Sequence, residues 1–110
     1  MIRDTLDKIE AQLRGAGTVN DATKTELLRL LAVLKAEVSE LSRTQTEQAH
    51  TIAGFVAVSA HEATRAAKSP ELVRLSLKGL ALSVRGYEQS HPKLVEGVNA
   101  ICTALANVGL

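Results

Sequence analysis

The chain has 110 residues, 13 Lys and Arg against 12 Asp and Glu, and a hydrophobic content of 45% in which Phe55 and Tyr87 are the aromatic members. That is one domain's length, with too much aliphatic side chain and too little net charge for disorder, one Cys and therefore no disulfide scaffold, and no apolar run near the ~20 residues a membrane span needs. The charged opening Met1–Lys8 does not read as a secretory leader, so an all-α, Ala/Leu-rich protein of the cytoplasm is expected.

The first predicted helix runs from about Ile2 to Arg14. Ile2, Leu6, Ile9 and Leu13 recur at helical spacing, and Asp4–Lys8 and Glu10–Arg14 place an acid four residues before a base, a pairing that supports a helix. Gly15-Ala16-Gly17 stops it. A Gly-x-Gly that follows a helix and lacks the rest of the fingerprint is a turn, not a phosphate loop.

The second segment starts among Thr18, Asn20, Asp21 and Thr23, all plausible N-caps, with Thr23-x-x-Glu26 fitting a capping box. From there Leu27, Leu31, Leu34, Val38 and Leu41 step 4-3-4-3, and the register continues through Gln45, Gln48, Ile52, Phe55 or Val56, and Ser59. A heptad seam of this kind predicts a coiled-coil-like helix over 21–67, about 70 Å long at 1.5 Å per residue. The alternative is a break near 44–50, because residues 39–51 hold one large aliphatic, Leu41, among Ser, Thr, Gln, Glu and His. Gln45 and Gln48 on the seam are either a polar register device or the mark of a solvated stretch. Ala53, Ala57, Ala60, Thr64 and Ala67 form a second stripe of small residues. It invites close approach of another helix, since interaxial distance follows side-chain size at the contact.

The third predicted helix opens on Ser69 as N-cap with Pro70 at the first helical position and Glu71 in the first turn. Its stripe is Val73, Leu77, Leu80, Val84 and Tyr87, widened by Leu72, Leu75 and Leu82, and it is expected to reach residue 89. His91-Pro92 ends it, because the residue before proline disfavours the α conformation. Ser90 or His91 then caps a last helix, 92–107, with Leu94, Val98, Ile101, Leu105 and Val108 as its stripe and Gly109 as its stop.

Ser90-His91-Pro92-Lys93-Leu94, together with the closing Leu105-Ala106-Asn107-Val108-Gly109-Leu110, resembles the ending of a small bacterial domain-of-unknown-function family, four-four-zero-four in its numbering. The opening Ile2–Leu6 helix and the leucine helix from Asp21 to Leu41 are similar to that family as well. The resemblance implies a bacterial, helical, cytoplasmic protein. It brings no catalytic residue, ligand or cofactor with it.

Candidate chemistry is sparse. His61-Glu62 opens like the zinc-protease motif, but Arg65 stands where the second histidine belongs. His50 and His61 share a helix face roughly 16 Å apart, too far for one metal ion. His91 is a helix-entry residue that could titrate near neutrality. Cys102 sits in an apolar stripe with no local base to activate it. No catalytic residue, metal or cofactor is expected. Arg74, Lys78 and Arg85 lie on one face of the third helix with no acid between Glu71 and Glu88, a face that is either solvated, paired with Glu37, Glu40 or Glu47, or able to hold an anion.

The fold expected is therefore a helical hairpin or bundle built on one long helix. The function expected is non-enzymatic: a self-associating interaction or scaffold module, a homo-oligomer whose interface is Leu27, Leu31, Leu34, Val38 and Leu41 with Ala53, Ala57 and Ala60. The alternative is a weakly nucleic-acid- or anion-associated protein using Arg74, Lys78 and Arg85. Nucleic acid is the weaker partner, since two aromatics leave little for base stacking, and no membrane span is expected.

Overall fold

Asn20 sits in extended conformation (φ −72°, ψ 164°) and its side chain accepts a hydrogen bond from the Thr23 amide at 2.8 Å, which starts the longest helix of the chain. The Thr23–Glu26 capping box does not form, because Glu26 turns outward to Arg29 instead. The computed structural model describes residues 2–110 and contains five helices: α1 (Ile2–Arg14), α2 (Asp21–Ser42), α3 (Thr46–Thr64), α4 (Pro70–Ser83) and α5 (Pro92–Gly109). No strand occurs among the described residues, and the fold class is all-α.

The long helix expected over 21–67 is two helices. The chain turns at Arg43–Gln45, where the Arg43 amide bonds the carbonyls of both Glu40 and Leu41, the Thr44 and Gln45 amides both bond Leu41 O, and Gln45 leaves the helical region (φ −134°, ψ 70°). Hydroxyls compete for main-chain carbonyls on either side: Ser42 Oγ donates to Ser39 O and Thr46 Oγ1 to Ser42 O. Such local bonds offer the backbone an alternative to the helix, and with Leu41 as the one large aliphatic there is little to oppose them. The consequence is architectural. The two halves of the predicted seam fold back so that Leu27, Leu31, Leu34, Val38 and Leu41 of α2 and Ile52, Val56 and Ser59 of α3 are all buried in the same core.

α3 is the central element. It packs on each of the other four helices, while α1, α2, α5 and α4 form an arc around it in that order, with α1 and α4 out of contact. Its buried face is correspondingly broad and built of small residues: Ala49, Ala53, Ser59, Ala60, Ala63 and Thr64 beside Ile52 and Val56. Ala57 is half-buried and Ala67 lies exposed beyond the helix end. The radius of gyration, 12.8 Å, is what a folded chain of this length has by itself, about 13 Å.

α4 is shorter than its pattern suggested. It ends at Ser83, after which Val84 caps it and Gly86 takes a positive φ of 96°, a conformation that glycine alone adopts cheaply. Tyr87 therefore leaves the α4 stripe. Its ring packs edge-to-face on His91 (centroids 5.5 Å apart) and its hydroxyl donates to Gln45 Oε1, tying the α4–α5 turn to the α2–α3 turn. Gln48 Nε2 donates to Ser83 O at 2.6 Å and so satisfies an end carbonyl of α4. The seam glutamines are thus tertiary fasteners within one chain. At the other end Gly109 is the last helical residue rather than a stop outside it. A Cβ there would stand 3.0 Å from Ala63 Cα and 3.1 Å from Val73 Cγ1, so its hydrogen lets α5 close on α3 and α4.

Candidate functional site

The leucine seam is not an available surface. Leu27, Leu31, Leu34, Val38 and Leu41 are each no more than 1% exposed within the single chain, as are Ala53 and Ala60, and Ala57 is half-covered. A single helix about 70 Å long could not cover its own stripe and would need a partner for it. The turn at 43–45 removes that premise, and α1, α3 and α5 supply the cover.

The large apolar side chains that do face solvent are elsewhere. On α4, Leu72, Leu75 and Leu82 are 44%, 58% and 45% exposed and Val58 of α3 is 49% exposed, while Val33 of α2 and Leu110 after α5 are exposed singly, off these two helices. The sequence pattern had these leucines widening the buried stripe of α4. At about 100° per residue they fall instead on a stripe of their own, 72-75-79-82, completed by Gly79. The stripe runs between two others. On one side the buried Ser76 and Ser83 turn inward, with Gly79 at the boundary under the Phe55 ring; on the other stand Arg74, Lys78 and Arg85, all exposed.

Three contacts give the relation of α3 to α4. Gln48 bonds Ser83, the Phe55 ring lies over Gly79, and Ala63 and Val73 meet around Gly109. The two helices are antiparallel, and this register puts Phe55 at the Gly79 turn, Val58 at the level of Leu75, and Glu62 at the level of Leu72. Phe55 is half-buried and carries the apolar surface of α3 onto that of α4. The result is an apolar strip along the outside of the α3–α4 contact, edged by bases on the α4 side.

Those bases have no acidic partner. Neither Arg74, Lys78 nor Arg85 makes an ion pair or a side-chain hydrogen bond among the described residues. None of the expected partners pairs with them: Glu40 pairs with Arg43, α2 makes no contact with α4, which keeps Glu37 away, and Glu47 of α3 is exposed and makes no ion pair among the described residues. By contrast the charges of α1 and α2 are tied together. Lys35 Nζ sits 2.8 Å from Asp7 and 3.0 Å from Glu10, and Glu10 also holds Arg14. The bonds from Lys35 and Arg14 draw the Glu10 carboxyl below its ordinary value, and those from Asp7 and Glu10 raise Lys35.

His50 and His61 are both exposed, and His61 Nε2 lies 3.9 Å from Glu62. Among the described residues no group of three His, Cys, Asp or Glu side chains is placed to hold a metal ion. His91 occupies the N-cap position of α5 without a capping bond, its Nδ1 3.0 Å from Ser90 Oγ. The Cys102 thiol is half-buried, 3.9 Å from Leu77 O, and burial pushes it up to about 11, which leaves little thiolate near neutrality. The Ser-His-Pro and Asn-x-Gly pieces of the C-terminal segment frame α5: Pro92 opens it, Gly109 seats its end on Ala63, and Lys68 Nζ donates to Val108 O at 3.1 Å. No described helix is long and apolar enough to cross a membrane. No family model, curated protein or solved structure matches the chain.

Proposed function

We propose that this chain is a cytoplasmic, non-enzymatic helical interaction module of the bacterial family it resembles, and that it docks a partner on the strip formed by Phe55, Val58, Leu72, Leu75 and Leu82. The observation that carries this reading is the exposure of three leucines on one stripe of α4 while the leucine seam of α2 is buried. A cluster of exposed apolar side chains on a small domain, unlike single scattered ones, marks a contact site. The absence of any alternative use for these side chains within the fold supports the same reading: α4 already buries Val73, Ser76, Leu80 and Ser83.

The test is site-specific photo-cross-linking in cells that make the protein. A benzoylphenylalanine in place of Leu75 is expected to give discrete higher-mass adducts, whereas the same residue in place of Lys8, exposed on α1, gives none. Adducts no more abundant at position 75 than at position 8 would sink the proposal.

A second reading rests on Arg74, Lys78 and Arg85, three exposed bases without ion-pair partners. They support weak association with a polyanion. Binding to duplex DNA or heparin at about 50 mM salt, where electrostatic binding is strong, is expected to disappear when all three become Gln. No binding of the wild-type chain under those conditions removes this reading.

A further inference from the structure

We propose that the strip receives an amphipathic helix of a different protein, about three turns long, whose apolar stripe lies on Leu72, Leu75 and Leu82 and whose acidic edge lies along Arg74, Lys78 and Arg85; the proposal rests on the α3–α4 strip being an interaction surface at all.

Dimensions come first. Leu72 to Leu82 spans ten residues, or about 15 Å of helix axis. A docked helix covers about that length with anchors at i, i+3 or i+4, i+7, and i+10 or i+11. The strip also has little depth, because the Phe55 ring fills the space over Gly79. A shallow apolar surface with a filled floor suits a helix face better than a small molecule.

Charge then decides among occupants. One edge of the strip carries three bases with nothing to neutralise them. A second copy of this chain would bring the same leucines edged by the same bases. On the α3 side it could offer Glu62, which is 13% exposed and held by Arg65 at 3.2 Å, and the exposed Glu47 at the Gln48 end, one free acid against three bases. A like copy is therefore not complementary. An anionic bilayer is flat and would meet both edges at once. The far edge holds the exposed Glu47 and Thr51, and Glu71 stands at the Leu72 end, so the lipid surface would press on acids as well as bases. A nucleic acid would use the bases and leave the leucines uncovered. A helix with an apolar stripe and one acidic edge satisfies both features together. Opposed charge of this kind mainly sets orientation and encounter rate, and apolar burial supplies the affinity.

The experiment is selection from a displayed library of 18-residue amphipathic helices. The apolar stripe is held constant and the edge positions vary among Glu, Gln and Lys. Panning uses the full wild-type chain, with the Leu75→Asp chain as counter-selection; Leu75→Ser with Leu82→Ser replaces it if Leu75→Asp loses its helical circular dichroism. Enriched helices are expected to carry Glu along one edge. A synthetic peptide of the leading clone is expected to bind about tenfold more weakly to the Arg74→Gln, Lys78→Gln, Arg85→Gln chain, as the loss of three exposed ion pairs implies. Enrichment with no preference for Glu overturns the acidic helix while leaving the strip as an interaction surface. No enrichment over the counter-selected chain overturns both. Flotation of the wild-type chain, but not the triple Gln chain, with phosphatidylglycerol vesicles would reassign the strip to lipid. A dimer by light scattering that Leu75→Asp dissolves would reassign it to a second copy.

Discussion

The ring of Phe55 lies where a side chain on Gly79 would stand: three of its atoms fall within 3.0 Å of the position a Cβ would take. A helix interior normally prefers Ala to Gly by about 1 kcal/mol, so the glycine is kept at a local cost. It brings α4 against α3 and lays an aromatic face along the exposed leucine stripe. The two residues are therefore energetically coupled across the surface to which we assign docking.

This coupling is measurable by a double-mutant cycle. Gly79→Ala in the native background displaces the Phe55 ring and is expected to gain less than the ~1 kcal/mol that helix propensity alone would give, or to lose stability. In a Phe55→Ala background the ring is gone and the full gain is expected. Urea denaturation of the four chains gives the interaction energy directly. Equal effects in both backgrounds would mean that the ring does not press on Gly79.

Leu34 reports on the leucine seam. It is fully buried, and a Cβ on Gly97 would sit 3.5 Å from its Cδ1, so α2 and α5 meet around it. Leu34→Ala is expected to destabilise the folded chain by about 2–5 kcal/mol. Leu34→Asp is expected to prevent folding, since it buries an unpaired carboxylate. Were the seam an intermolecular interface, Leu34→Asp would instead leave a folded, helical monomer. Circular dichroism and light scattering on the same sample separate the two outcomes.

Ser59 offers a substitution in the opposite direction. Its side chain is buried where α3 faces α4, and its hydroxyl has no hydrogen-bond partner. Leaving a buried hydroxyl unpaired costs about 1–3 kcal/mol. Ser59→Ala is therefore expected to raise the urea midpoint with an unchanged m-value. A lower midpoint would show that the hydroxyl is paired in solution.

Lys35, held between Asp7 and Glu10, predicts the pH dependence. The folded state lowers Glu10 from 4.5, so this contribution is present above 4.5 and is lost as pH falls through the lower folded value. The folded state raises Lys35 from 10.5, so that contribution is complete below 10.5 and is lost as pH rises through the higher folded value. The melting-temperature difference between wild type and Lys35→Gln should accordingly be largest between these limits and shrink toward both extremes. A difference independent of pH would mean that Lys35 acts only through packing of its stem.

Much of this architecture is written in local pattern. Asn20 and Ser69 cap their helices, Pro70 and Pro92 open theirs, and the glycines at 15–17 end α1. These signals act within a turn or two, so adjacent residues suffice to read them. Most of the apolar residues that recur at helical spacing, from Leu6 to Leu105, are likewise buried, Leu77 and Tyr87 being partly covered. Heptad spacing alone, however, is the same whether the cover comes from a second chain or from the chain itself. The difference lay in Arg43–Gln45, where a few hydroxyl bonds and one missing row of aliphatics tip the balance between helix and turn. Once the chain doubles back there, the seam becomes a core.

The candidate surface was hidden for the same reason. On α4 five leucines lie within eleven residues, from Leu72 to Leu82. Periodicity can sort them into stripes, but it cannot say which stripe finds a neighbour. Val73 and Leu80 are covered because α3 and α5 lie against them, and Leu72, Leu75 and Leu82 are left outside because Val73, Ser76, Leu80 and Ser83 make up the buried face of α4. Composition and spacing determine that this chain is helical and where its helices begin. Which leucines become core and which become surface is decided only when five helices compete for the finite area around α3, because burial belongs to the packed assembly and not to any one segment.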